Sequence, residues 1–206
     1  MNRSRIAVIV RAFQRYKNLP VLIHSFLAQT DPRWTLYVVH DGPDEPHAAL
    51  MQPFLREHAN IRYQQTPTRH NDYGHTPTSW ALQNFVGDES HVLFTNDDNY
   101  YMPVFVEYVL RAFERKPETV MVASHCVHNE AVHHNGNRDT YGLFRTHFRP
   151  GYIDLGAYVT DARVAKAVGY NSTAFEADAV FVQEVRAKHP DPSGYVVLDH
   201  ALFVHN

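Results

Sequence analysis

Cysteine is almost absent from this chain of 206 residues: Cys126 is the only one. A single thiol excludes an internal disulfide framework and fits a reducing compartment. Long apolar runs are missing as well. None approaches the roughly 18 residues that a membrane helix needs. The run from Ile6 to Val10, behind Arg3 and Arg5, is too short for a secretory signal core. The expectation is a cytoplasmic protein with no membrane span. Neither sign of charge dominates, since 19 Lys and Arg stand against 22 Asp and Glu, a net charge of -3. That balance offers no general attraction for nucleic acid or acidic lipid. Glycine is sparse too. No G-x-G-x-x-G follows the first apolar run and no G-x-x-x-x-G-K-[ST] occurs anywhere, which argues against a Rossmann dinucleotide enzyme and a P-loop nucleotidase.

What is present is a globular composition, 44% hydrophobic and 20% charged, with an excess of 15 His, 12 Tyr and 12 Phe. The β-branched run Ile6–Val10 reads as a strand buried on both faces. Leu19, Leu22, Ile23, Phe26 and Leu27 then form a helical stripe within 17–29. Trp34–His40 reads as a second strand that ends at the turn formers Asp41-Gly42-Pro43. A helix over 46–58, a short strand at 61–65, a loop over 66–79, a helix near 78–86 and a strand at 91–95 follow. Pro103 suits the first turn of a helix whose face carries Phe105, Tyr108, Val109, Ala112 and Phe113.

Val120–Ala123 resumes the sheet, and 125–150 reads as a loop or irregular hairpin. Helices near 161–168 and 177–188 and two short terminal strands complete the chain. Alternating strands and helices through the first 124 residues predict an α/β fold with a mostly parallel sheet. No repeat or flexible linker divides it, so one domain is expected over 1–206.

Ligands of open α/β sheets sit beyond the carboxyl ends of the strands. Here those ends carry Arg11 to Phe13, Asp41, the 66–79 loop and Asp97-Asp98. The notable chemistry is carboxylate. A protein that holds a diphosphate without a glycine cradle can recruit a divalent cation to neutralise it, and paired Asp suits Mg²⁺ or Mn²⁺. Taken alone, Asp97-Asp98 also fits plain turn and capping residues, and Asp41-Gly42-Pro43 a plain turn.

The segments IAVIVRAFQRYKNLPVLIHSFLAQT, VVHDG and FTNDDNYYMP resemble the family 2 glycosyltransferases of GT-A fold. TNDDNYYMP and the helix behind it look most like the bacterial spore-coat polysaccharide members. The likeness covers roughly residues 5–185, and its three motifs fall in order at strand ends. It implies a GT-A sheet flanked by helices, with 1–100 as the nucleotide-binding half and 101–206 as the acceptor-binding half. It implies that Arg11 and Phe13 line base and ribose, that Asp41 binds the base, and that Asp97 reaches the ribose. Asp98 then holds Mn²⁺ or Mg²⁺, with His205 closing the metal shell. Asp178 in FEADAVFV becomes the base that deprotonates the acceptor, with Glu176 as its rival, and transfer proceeds with inversion. The implied donor is a nucleotide-diphosphate sugar, most simply a UDP-sugar, and the implied acceptor a saccharide or small glycoconjugate. Nucleic acid is a minority option.

The chain departs from that pattern in places. His40 stands where a first acidic residue is common, and Arg11 replaces a small residue. HTPTSWAL lacks the usual arginine near the diphosphate, leaving Arg69 or His75 as the nearest substitute. Arg138, Arg145 and Arg149 among Tyr141, Phe144 and Phe148 suggest an acceptor-facing segment or an ordinary surface loop. Competing readings are a non-catalytic sugar-nucleotide-binding module, a sugar-1-phosphate nucleotidyltransferase without its glycine-rich signature, and a metallohydrolase built on His125, His128, His133 and His134. The last lacks cysteine partners at metal spacing.

Overall fold

The apolar run near the N-terminus forms the middle of the sheet. In a computed structural model of the protein, which describes residues 4–129 and 141–206, it lies within β1 (Ile6–Ala12), buried except at Arg11 and flanked by strands on either side. β2 (Trp34–His40) and β4 (His91–Asn96) run parallel beside it, and β3 (Ile61–Gln65) extends the parallel set beyond β2. Parallel neighbours need crossovers. These are α1 (Leu19–Leu27), α2 (Glu45–Glu57) and α3 (His75–Asn84). The expected stripe of α1 is its buried side, with Leu19, Leu22, Ile23 and Phe26 inaccessible to solvent.

The second half adds β5 (Tyr100–Tyr101), α4 (Phe105–Arg115), β6 (Met121–Asn129), β7 (Tyr141–Phe144), β8 (Tyr158–Asp161), α5 (Ala162–Val168), α6 (Ala177–Lys188) and β9 (Tyr195–His205). The sheet order is β3-β2-β1-β4-β8-β6-β9-β5, with β7 on β6. β8 is antiparallel to both β4 and β6, so β6 points the same way as β4, and β9 is parallel to β6. Thus β1, β2, β3, β4, β6 and β9 share one direction, against β5, β7 and β8. The mostly parallel sheet flanked by helices is what forms, with its antiparallel insertions all in the second half.

Register then decides where chemistry can gather. Ala12 pairs with His40, Arg11 with Asn96, and His128 with His205. The carboxyl ends of five strands therefore open on one edge of the sheet.

Several boundaries differ from expectation: Pro103 lies just before α4 rather than in its first turn, and β6 runs on to Asn129. α3 starts at His75, inside the expected loop, because Gly74 at φ +78° turns the chain and Pro77 falls in the first turn, where it is tolerated. The two terminal strands are one strand of 11 residues. Asp199 and His200 interrupt its apolar pattern where the β6–β9 register slips around His125, a bulge that leaves both side chains outside. The irregular hairpin is β6–β7, while His133, His134 and Arg138 lie outside the described residues. Among the described residues no helix is long and apolar enough to cross a membrane.

Two histidines are core residues. His47 on α2 is fully buried against His40 and Tyr63, and His91 opens β4 under Phe113. Burial pushes both down to about 4, for His47 with help from the nearby His40. Their folded values lie below the unfolded value of about 6.5, so only the unfolded chain gains protons between pH 6.5 and 4. Each of these two histidines therefore contributes a loss of stability across that window on acidification, about 1.4 kcal/mol per pH unit when fully shifted. The buried carboxyls Asp97 and Asp178, which burial raises to about 7 and about 6, give the opposite slope. Urea melts of the unaltered protein and of His91→Leu at pH 7 and pH 5 check this: the variant should lose less stability, or gain more, between the two, by up to about 1.4 kcal/mol per pH unit.

Candidate active site

The carboxyl edge of the sheet holds a cavity of about 470 Å³. Arg11, Phe13, Asp41, Arg69 and Asp97, singled out from the sequence, all line it, joined by Arg15. Gln14, Asn71 and Tyr73 are the only non-glycine residues at positive φ among those described, and all lie on the two loops that form this cavity. Such backbone costs of order 1–3 kcal/mol each and persists where surrounding structure holds it.

At one end the Phe13 ring stacks on His40 at 5.7 Å, and the Arg69 guanidinium lies 4.0 Å from the centre of the same ring. His40 donates from Nδ1 to the Gly42 carbonyl at 2.7 Å, which leaves Nε2 to accept the Gln14 N–H. The residue that departs from the acidic pattern is thus a buried support for Phe13. Asp41 does not simply point into the cavity. Its oxygens accept the backbone N–H groups of His70 and Asn71 at 2.8 and 3.0 Å, pinning the loop that carries Arg69.

The other end is acidic. Asp97 accepts the Phe13 N–H at 3.0 Å, and Arg15 pairs with Asp98 and lies 3.5 Å from Asp97. Both carboxylates are almost out of water. Burial pushes Asp97 up to about 7, with the Asp98 charge adding to it. Burial also raises Asp98, although Arg15 and His205 pull the other way. Arg15 was not anticipated from the sequence, and its place three residues beyond the end of β1 was the only signal. Arg11 donates from Nε to Asn96 at 2.5 Å and meets His75 at 3.3 Å. Gly74 makes room for it, because a Cβ there would lie 2.9 Å from the Arg11 stem. Arg69, the substitute expected near a diphosphate, sits at the Phe13 end instead.

His205 arrives beside the acid pair on β9. The chain next to it is tied down, since Asn206 donates to the Asp98 carbonyl at 2.9 Å. Its Nδ1 lies 3.2 Å from Asp154, and its ring stacks on His128 at 4.4 Å. Burial works against the His205 charge, yet the hydrogen bond and charge of Asp154, with the charge of Asp98, raise its value. Asp154 is held by a tight turn at Leu155–Ala157, where Gly156 allows close approach: a Cβ there would fall 2.8 Å from the Tyr101 hydroxyl. Ligand atoms of His128, Asp154 and His205 lie within 4.8 Å of one another. Asp98 Oδ1 is buried without a hydrogen-bond partner among the described residues. A partnerless carboxylate oxygen, an acid pair with one cation and a nearby imidazole fit a divalent cation such as Mn²⁺ or Mg²⁺. Asp154 escaped the sequence reading, which raised His128 only as part of a zinc cluster with His125, His133 and His134. An acid within the apolar stretch IDLGA was the available clue.

Asp178 lies in the first turn of α6 and is partly buried, whereas Glu176 before it is exposed. Burial pushes Asp178 up to about 6, with Asp154 adding to the rise and Arg11 opposing it. Phe181, Val182 and Val185 turn into the core as expected. Of the other described histidines in 125–150, His125 accepts from the Thr146 N–H, and His147 packs on Tyr152. Phe148 and Arg149 line a hollow with Arg186 and Tyr195, at the opposite end of β9 from His205. Tyr141 and Phe144 stay at the His205 end.

Comparisons with known proteins agree with this layout. The family model described as glycosyl transferase family 2 matches residues 7–177. Protein CgeD of Bacillus subtilis (strain 168) is 23% identical over 124 residues, 59% of this chain and 29% of that protein. The structure of S. aureus TarS 1-349 in complex with UDP-GlcNAc superposes with a TM-score of 0.74 at 17% identity, covering 98% of this chain and 58% of that one. The mannosyltransferase PcManGT from Pyrobaculum calidifontis, in complex with GDP-Man and Mn²⁺, gives 0.73 at 13% identity, covering 98% and 57%. At such identities the likeness shows the fold, which is the GT-A sheet expected from the sequence. The chain spans under a third of the curated relative and under three fifths of these two structures' chains.

The Asp41 contacts give a direct test. Asp41→Asn leaves one acceptor oxygen for two backbone donors, so one N–H loses its partner at a cost of about 1–3 kcal/mol. Melting should drop by several degrees, and limited proteolysis should cut faster between Thr68 and Gly74 than in the unaltered protein.

Proposed function

The chain belongs to glycosyl transferase family 2, and on that premise we propose an inverting, metal-dependent transferase that moves a sugar from a nucleotide-diphosphate sugar to an acceptor hydroxyl. A UDP-sugar is the donor in this reading, and a saccharide or small glycoconjugate the acceptor. The observation that carries it is the convergence on one sheet edge of a buried acid pair, a partnerless Asp98 oxygen, His205 and the raised Asp178 carboxyl.

In this mechanism the cavity between Phe13 and Asp97 takes the nucleoside. Phe13 and Arg69 offer a flat face for the base, and the cavity's polar lining meets the ribose. Asp98 and His205 would hold the cation, with Asp154, 3.2 Å from Nδ1, orienting the His205 ring as carboxylates commonly do for metal-bound histidine. A bound Mn²⁺ or Mg²⁺ would supply charge to offset the departing diphosphate. Asp178 accepts the acceptor's proton as the acceptor oxygen bonds to the anomeric carbon and the bond to the diphosphate breaks. Attack from the face opposite the leaving group inverts that carbon. The exposed Glu176 has no comparable surroundings. A metallohydrolase built on His125, His128, His133 and His134 gains nothing from the described pair, since His125 accepts the Thr146 N–H while His128 stacks on His205. A non-catalytic module leaves the partly buried Asp178 without purpose.

UDP should bind tightly only with Mn²⁺ or Mg²⁺ present, and Asp98→Asn should abolish that dependence in isothermal titration. Equal UDP affinity in EDTA would remove the cation from the mechanism, and stronger binding of GDP would change only the base assignment.

Transfer should lose activity as pH falls through about 6, where Asp178 takes up the proton that disables it as a base. Asp178→Asn should slow transfer by roughly 10²–10⁴-fold while UDP affinity holds, with Glu176→Gln much milder. The reverse ranking would move the base to Glu176.

A further inference from the structure

A second hollow lies beside the charged cavity and has a different character. It is about 230 Å³ and is formed by the start of α3 and the loop after α5. Thr76, Ser79, Trp80, Tyr170, Asn171 and Ser172 are among its lining residues, and no Lys, Arg, Asp or Glu lines it. Hydroxyls, a carboxamide and aromatic rings without charge suit a neutral polyhydroxyl compound, whose ring faces pack on aromatics while its hydroxyls hydrogen-bond.

His75 stands between the hollow and the charged cavity: it lines the hollow, and its Nδ1 meets Arg11, which lines the cavity. Asp178 is within electrostatic reach of Arg11 on the cavity side and of Tyr170 in the hollow's wall.

An aromatic pair in water stands where the two compartments meet, since Tyr73 lines the charged cavity and its ring lies 6.0 Å from His75 of the hollow. Tyr73 and Phe175 are 66% and 76% exposed, yet their rings meet edge to face at 5.8 Å across the two loops. Tyr73 is held at φ +58°, which keeps it on the outside between Asp72 and Gly74. Large aromatics that face solvent from a held backbone, next to a polar hollow, form a platform for a flat apolar face.

We propose that this hollow, with the Tyr73–Phe175 pair beside it, is the acceptor subsite and takes a neutral sugar ring, an assignment that rests on the transferase reading above. The donor's diphosphate belongs with Asp98 in the charged cavity, and the acceptor hydroxyl approaches Asp178 from the uncharged side.

Trp80 provides the readout. The only other tryptophan, Trp34, is a core residue at 4% exposure. Neutral methyl glycosides of glucose, galactose, mannose and N-acetylglucosamine, titrated into the full chain with UDP and Mn²⁺ present, should change Trp80 emission saturably for at least one sugar. Trp80→Phe should remove the change. Ser79→Leu, which fills the hollow, and Phe175→Ala, which halves the platform, should each weaken that sugar by about tenfold, the worth of one aromatic contact. Calorimetric affinities for UDP and for the UDP-sugar should stay the same in both variants.

No sugar response, or a response that survives both substitutions, overturns the assignment. So does Ser79→Leu weakening the UDP-sugar but not UDP, because the hollow then holds the donor's sugar. Failure of UDP to bind the unaltered protein is read separately in the calorimeter and overturns the donor reading instead.

Discussion

Two adjacent carboxylates at the end of β4, nearly removed from water and served by one arginine, are the constraint around which this protein is arranged. A buried carboxylate is costly unless it is paired or hydrogen-bonded, and two side by side add their mutual repulsion. The surroundings answer each oxygen separately. The Phe13 amide takes one, Arg15 bridges both residues, and the tail at His205 and Asn206 closes over the Asp98 side. Asp98 Oδ1 is left over. The unfavourable state is tolerated because the sheet on which it stands is densely apolar, with β1, β2 and β4 buried almost throughout.

The same edge separates charged from uncharged chemistry over a short distance. Arg11, Arg15, Arg69, Asp41 and Asp97 face one cavity, and hydroxyls and rings face the next. His75 divides them with little charge of its own, since burial and the neighbouring Arg11 hold its value low. A transferase must bring a highly charged donor to a weakly nucleophilic hydroxyl without offering the reactive carbon to water. Adjacent compartments of unlike polarity are one arrangement that meets both demands.

Most of the fold was legible because its determinants are local. β2, β3 and α6 fall where apolar periodicity and turn residues place them, and the acid pair stood out through its chemistry and its position after a strand. What could not be read depends on residues distant in sequence. The contact between Asp154 and His205 exists only because β9 pairs with β6 and a glycine turn packs under Tyr101. The use of Asp41 to fasten a loop depends on where residues 70 and 71 return. β9 was divided because Asp199 and His200 resemble a turn, and only the pairing with β6 shows that they bulge from an unbroken strand.

The union of β6 with β9 also sets an order of events. Strands β1 to β4 are contiguous early in the chain and can pair as they emerge, but His205 belongs to the last strand and must find His128 across a long intervening segment. Closing such a loop is slow compared with pairing neighbours. The Phe13 end of the cavity is therefore the part that a growing chain can shape first. The corner where His205 meets Asp154 beside Asp98 is completed only when β9 pairs with β6.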